Sequence, residues 1–356
     1  MIRMSLDDAQ PMMRLARPAL AGDGRFLLGQ GAVLTDSYLE RLRSFDIRRV
    51  WIHDDRLSDV MEMEFYSART RGQVSLRLTE IIAELAGDRT AVKKVLGGGA
   101  LDSLVTEALD NRRELIPAPE ASPMESPLVA HSVRVCLTAT AIGSVIQFGR
   151  DAAVNLAAGA LLHDLGQALS KAADGGGSPD ALDLIAPDHT SLGFEAVVRA
   201  RRLSATVAIV CLQHHERQDG SGYPKSLKGD RIHPFAALCA VADRYDNLVS
   251  GKAPMLPHQA MQRLLDEAGT LLDAGMVGKF RARVAPYPVG TPLLLNTGQQ
   301  TVVARVSPPA LDRPVVRLME DGVPPQDIDL VEHPSLTIEA IGWHGSISDA
   351  LSLIPS

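Results

Sequence analysis

The sequence predicts a mainly α protein: an all-helical domain over residues 128–285, a small α/β domain over 1–66 before it, and a short β-rich extension over 286–356 after it. Three observations carry this. Apolar residues recur at helical spacing through most of 128–285. The tract PAPEASPMESP at 117–127 holds four prolines and few large apolar residues, the composition of an extended linker. After 286 the texture changes to YPVGTPLLL, QTVVARV and RPVVRLM, short β-branched runs separated by Gly and Pro.

In chain order, residues 24–54 read as strand, helix and strand. GRFLLGQG is short and bounded by Gly, DSYLERLRSF has helical apolar spacing, and RRVWIHD is β-rich. Residues 67–116 turn helical, with Ile81, Ile82, Leu85, Val92 and Val95 on one face and GGG at 97–99 as a break, so 67–127 reads as a helical connector ending in the linker. Helices are expected at 129–147, 152–166, 189–201, 204–216, 234–250 and 257–285. Asp151, Asp188 and Ser204 are suited to capping, Pro234 to a first helical position. AADGGGSPD at 172–180 reads as a flexible loop, and no solenoid repeat is evident.

A chain of 356 residues is long enough for two or three domains with adequate interiors. With 46% hydrophobic and 22% charged residues and a net charge of -7, the composition excludes a disordered chain and argues against a nucleic-acid polymer as partner. No run approaches the ~18 uninterrupted apolar residues of a membrane span, and MIRMSLDDAQ carries acids where a signal peptide needs a basic start. A cytoplasmic protein with no membrane partner is expected. Cys136, Cys211 and Cys239 lack CxxC spacing and lie in apolar helical contexts, which fits reduced buried thiols.

The chemistry concentrates in two runs, LLHDLGQ at 161–167 and HHERQDGSGYP at 214–224. A single histidine in an apolar helix is more often a hydrogen-bonded core residue than a ligand. Here His163 adjoins Asp164, His214 adjoins His215, Asp243 sits inside ALCAVADRYDNL, and His131 and His189 lie at or within helices. Together they are hard to explain as independent core residues. A mixed imidazole and carboxylate shell with no nearby Cys suits borderline divalent ions better than structural zinc. Asp164 can bridge two such ions, which would hold a shared hydroxide for in-line attack on phosphorus. His233 precedes Pro234 as a cap or surface residue, and His53, His258, His333 and His344 have no supporting neighbours. In the Gly/Pro turn, Asp219 braces the loop, with contact to a ligating imidazole as the second option.

HSVR at 131–134, LLHDLGQ, HTSLG at 189–193, HHERQDGSGYP and VADRYDNL at 241–248 resemble, in this order, the motifs of the HD-GYP family, HD-domain phosphohydrolases that degrade cyclic di-GMP. The likeness runs over about 128–285, and the front unit and YPVGTPLLL tail look like segments that flank such domains. It implies a helical HD domain with two divalent ions, iron ahead of manganese. His131, His163, Asp164 and Asp243 would hold one ion; Asp164, His189, His214 and His215 the other. It implies hydrolysis of cyclic di-GMP to pGpG and onward to GMP, with Asp164, Asp246 and Gln167 in the catalytic set. Lys252, Gln167, Tyr223 and Gly222 would face substrate, and Asp246 would place water or guanine.

The departures are specific. Gln167 stands where the family has lysine, Lys252 keeps a cation where an arginine is usual, and Pro127 occupies the place of the acid that supplies a third metal. These changes keep open a catalytically weak module that binds nucleotide or protein through the GYP loop, and an enzyme for another cyclic dinucleotide. The helical 67–116 stretch offers a surface for a homodimer.

Overall fold

The computed structural model describes residues 1–20, 26–45, 47, 49–60, 64–85, 88, 91–117, 126–146, 148–173, 188–251, 253–320 and 324–342. Lys252, most of the Pro-rich linker and the Gly-rich tract from 174 onward lie outside them.

The two chain ends meet in one compact unit, Met1–Met63 with Ala285–Ser356, and Glu64–Val284 form a second. Reading texture along the chain divides it into four segments; in space the first and last share a core, and the helical connector joins the central helices. The reason is hydrophobic. Ile2, Leu6, Leu15, Leu34, Leu42 and Val50 are buried in one cluster with Val302 and Met319, and each such side chain contributes ~1.5–3 kcal/mol on burial. Arg317 reinforces the join, donating to Arg56 O at 2.8 Å and Asp59 Oδ2 at 2.9 Å.

In this unit the strands Ile2–Ser5 and Arg49–Ile52 pair antiparallel. Helix α1, Asp36–Ser44, starts at Thr35, whose hydroxyl accepts from the Tyr38 amide at 3.2 Å. The C-terminal part is a five-stranded antiparallel sheet in the order Asp327–Asp329, Val315–Leu318, Gln300–Arg305, Pro292–Leu295 and Ile338–Ile341. Tyr287, Leu293, Leu295, Val303 and Val316 pack on it, as its β-branched composition leads one to expect.

The second unit is helical. Its elements are α2 (Ala68–Leu85), α3 (Ala100–Asp110), α4 (Pro127–Val145), α5 (Arg150–Leu162), α6 (Leu165–Ala173), α7 (His189–Arg199), α8 (Ala205–Gln213), α9 (Pro234–Ser250), α10 (Pro257–Glu267) and α11 (Ala274–Arg283). Helix α4 is largely apolar and buried from Leu128 to Ser144, the mark of a central core helix. It is long and apolar enough to cross a membrane by composition, yet 94% of that span is buried inside the structure. Pro127 opens α4 and Pro234 opens α9, each at a position where a missing N–H costs nothing.

Four sequence expectations are adjusted. Asp151 lies within the first turn of α5, where its charge favours the helix dipole, and Gly149 is the N-cap. Asp188 occupies the N-cap of α7 without a side-chain capping bond. The helix expected over 257–285 is two, because Gly269 adopts φ +80°, a conformation that ends α10. The helix expected over 152–166 breaks at His163 and Asp164, which form the corner between α5 and α6.

Candidate metal centre

Six helices converge on a buried cluster. Helix α4 supplies His131 and Arg134 on one face at i, i+3 spacing. The α5–α6 corner supplies His163 and Asp164, and Gln167 follows in α6. His189 opens α7, His214 caps the C-terminus of α8, and His215 follows it. Asp243, Asp246 and Asn247 share a face of α9. Gly166 keeps the corner tight: a Cβ there would collide with the His189 carbonyl, so α6 and the start of α7 approach as only glycine permits.

The side chains divide into two sets around Asp164. One is His131, His163 and Asp243; the other is His189, His214 and His215 with Asp164. Asp164 presents one oxygen to each. Its Oδ2 lies 3.6 Å from Nε2 of both His131 and His163, and its Oδ1 lies 3.2 Å from His189 Nε2 and 3.4 Å from His214 Nε2. Asp243 Oδ1 is 3.1 Å from His131 Nε2.

Backbone and side-chain partners fix which ring nitrogens point inward. His163 Nδ1 donates to Ala160 O at 2.8 Å and His214 Nδ1 to Cys211 O at 2.9 Å, so both Nε2 atoms keep bare lone pairs facing the centre. His131 Nδ1 meets Asp246 Oδ2 at 2.7 Å, a carboxylate–imidazole pair of the kind that orients metal ligands. Arg134 grips the same carboxylate through Nε and, at 2.7 Å, Nη2.

The electrostatics follow from burial. Burial pushes His163 down to about 4 and His215 to about 2, so both rings are neutral near pH 7. Burial also pulls on His131, but the Asp243 and Asp246 carboxylates outweigh it and raise that ring to about 10. Burial opposes ionisation of Asp164, yet the surrounding imidazoles hold its carboxyl well below the usual carboxylate range.

This donor set fits divalent cations. The Nε2 atoms of His131 and His163 stand 3.3 Å apart, as do those of His189 and His214, and Asp164 Oδ1 is buried without a hydrogen bond. The bare Nε2 lone pairs of His163 and His214 and this carboxylate oxygen converge in the dry interior, which is costly unless a positive charge joins them; His131, which its two carboxylates keep protonated, would give up that proton to a cation.

Residues 116–276 match the family model described as the HD domain, and they contain this His and Asp cluster together with the GYP turn. This chain carries an HD domain. Cyclic di-GMP phosphodiesterase PA4108 of Pseudomonas aeruginosa is 27% identical over 343 residues, 85% of this chain and 82% of that protein. The cyclic di-GMP phosphodiesterase of Thermotoga maritima is 33% identical over 137 residues, 33% of this chain and 34% of the relative. The 3'3'-cGAMP-specific phosphodiesterase 2 of Vibrio cholerae is 30% identical over 155 residues, 42% of this chain and 30% of its own length. Among solved structures, the HDG"Y"P protein Bd1817 from Bdellovibrio bacteriovorus covers 78% of this chain and 97% of its own, with a TM-score of 0.48 and 17% sequence identity.

Around the HD centre, the structure places the remaining candidates unevenly. Tyr223 stacks on His215 with ring centroids 4.9 Å apart, and burial pushes its phenol up to about 12, leaving a neutral donor beside the cluster. Gly222 is buried against His215 O, where a Cβ would collide, so it packs the turn. Asp219 braces the loop as expected, Oδ1 accepting from the Ser221 amide at 2.9 Å and hydroxyl at 2.6 Å.

Two residues have partners the sequence did not indicate. Asp246 meets Arg134 and His131 with its oxygens and is 5% exposed, so it orients the His131 ring. Gln167, also 5% exposed, donates its amide to Asp164 Oδ2 at 2.6 Å.

Sequence reasoning missed three supporting residues. Arg134 was visible only as i, i+3 from His131. Asn247, i+4 from Asp243, donates to its Oδ1 at 2.7 Å. Glu216, buried, accepts from the Lys225 and Leu227 amides at 2.7 and 2.8 Å and so anchors the segment leaving the GYP turn to the start of its own loop.

Proposed function

We propose that this chain is a cytoplasmic phosphodiesterase that opens cyclic di-GMP to linear pGpG and onward to GMP. The observation that carries the reading is the split of Asp164, one oxygen toward each of two imidazole sets. The names of the relatives in Pseudomonas and Thermotoga support the substrate. His131, His163, Asp164 and Asp243 would hold one divalent ion and Asp164, His189, His214 and His215 the other, with iron ahead of manganese. Bound there, the ions would neutralise phosphoryl oxygens and acidify a water molecule.

The chain's own groups prepare that chemistry. Burial keeps His163 and His215 neutral, so their nitrogens are free to donate lone pairs. Arg134 and Asp246 fix the ring of His131. Tyr223, stacked on His215, offers a flat face and a neutral hydroxyl at the rim for a guanine base or phosphate. Lys252, in the position that follows the last motif, is the cation proposed to face the phosphates.

The similarity to the Vibrio enzyme named for 3'3'-cGAMP supports a second substrate reading. Anaerobically prepared protein loaded with Fe2+ or Mn2+, incubated with each cyclic dinucleotide and followed by chromatography, tests both. Linear product from cyclic di-GMP at the higher kcat/KM is the expected result. Preference for 3'3'-cGAMP would transfer the assignment to that substrate, and binding without turnover would replace the enzyme by a signalling module.

A further inference from the structure

We infer that Gln167 is a positioning residue that divides the Asp164 carboxylate between the two halves of the centre, and thereby sets whether the second of two ions is held. The inference rests on the two-ion reading above.

Asp164 is the residue the two halves share, and its usefulness depends on one torsion, the rotation of its carboxylate about Cβ–Cγ. In the observed rotation Oδ2 faces His131 and His163, both at 3.6 Å, while Oδ1 faces His189 and His214 at 3.2 and 3.4 Å. The imidazole contacts to this carboxylate are long, 3.2–3.6 Å, and two of the rings have their Nδ1 hydrogens committed elsewhere. His163 and His214 spend their Nδ1 hydrogens on the carbonyls of Ala160 and Cys211, and Asp164 Oδ1 is buried with no hydrogen bond. The shortest contact on this carboxylate is the Gln167 amide, 2.6 Å from Oδ2, against 3.2 Å for the nearest imidazole nitrogen.

That amide is itself immobile. Gln167 is 5% exposed, and its backbone N–H closes onto Asp164 O at 2.9 Å, so side chain and main chain of one helical turn both bind the residue they position. An amide on one lone pair of Oδ2 leaves the other free for a cation. Without it, a carboxylate next to a single bound ion can turn both oxygens onto that ion, and the other half loses its shared ligand.

Side chains that orient metal ligands typically change affinity by about 10–100-fold when removed. Here the loss should fall on the second ion alone. The family's lysine is the informative comparison, because its ammonium also donates within similar reach but spreads its hydrogens differently.

The test is a Mn2+ titration by calorimetry on the full chain, with wild type, Gln167→Met and Gln167→Lys compared, and with thermal denaturation confirming that each variant folds. Wild type should bind two ions. Gln167→Met should bind the first ion within about threefold of wild type and the second about 10–100-fold more weakly, whereas Gln167→Lys should keep both, since a donor remains on Oδ2. Equal loss of both ions in Gln167→Met, unchanged binding of both, or loss of the second ion in Gln167→Lys would overturn the positioning role. Wild type that binds no ion would instead overturn the metal centre itself. If Gln167→Met does not fold, Gln167→Lys binding only one ion still decides against the inference.

Discussion

At the scale of single residues, the centre is a set of dependencies. Asp164 serves both imidazole sets, so Asp164→Ala should abolish binding of both ions, read as metal content after dialysis, whereas Asp243→Ala should spare the half built on His189, His214 and His215. Retention of two ions by Asp164→Ala would remove the shared ligand from the account. Arg134 is the less obvious case. It is 8% exposed and closes on a carboxylate that is 5% exposed. Removing one member of a buried ion pair typically costs about 3–5 kcal/mol, because a desolvated charge is left behind. His131 still faces Asp246, so Arg134→Met should lose about 3 kcal/mol, checked by chemical denaturation; a loss below about 1 kcal/mol would mean that the imidazole alone satisfies the acid. The His and Asp cluster was legible in the sequence because adjacent His–Asp and His–His pairs in apolar helices are costly to bury unless a cation gathers them. Arg134 was not, and Gln167 was read as facing phosphate with no sign of its bond to Asp164, since a helix places many polar residues near any ligand and only rotamers decide which one turns inward.

Between elements, the clearest stabilising contact outside the centre joins α9 to α10. Glu267, 4% exposed, receives Arg244 Nη2 at 2.6 Å and Arg263 Nε at 2.9 Å. Burial opposes its ionisation, but the two guanidinium groups prevail and hold its carboxyl below the ordinary 4.5. A depressed carboxyl stabilises the fold above its unfolded value, and that contribution disappears as pH falls through the folded one. Glu267→Gln should therefore lower stability by about 1–2 kcal/mol at pH 7, with the gap to wild type closing as pH drops below about 4. A gap independent of pH, measured by denaturation at pH 3 and pH 7, would show that the contact is steric. Element identity was readable from periodicity, while the boundaries at Gly269 and at His163 were not. Nothing in apolar spacing distinguishes a continuous helix from two that meet at a corner, and at His163 the corner is what turns the ligands inward.

For the whole molecule, the division into units was the part least legible in the sequence. Each end of the chain has its own texture, and pattern alone gives no reason for Ile2 and Leu6 to seek Val302 and Met319, at the far end of the chain. A chain ending at residue 284 tests the pairing. It should keep the helical signal of Glu64–Val284 in circular dichroism, while its first sixty residues become susceptible to protease and bind a hydrophobic dye. Full protection of that segment would show that it folds without its C-terminal partner strands. The same connectivity imposes an order on synthesis. A ribosome releases the N-terminal strands first, but their core stays open until Val302 and Met319 emerge, on the order of 10–50 s later at 5–20 residues per second. The helices of the centre emerge within that interval and are complete before it ends, so the nascent chain comes to carry a whole helical unit behind an apolar N-terminal segment still waiting for its other half.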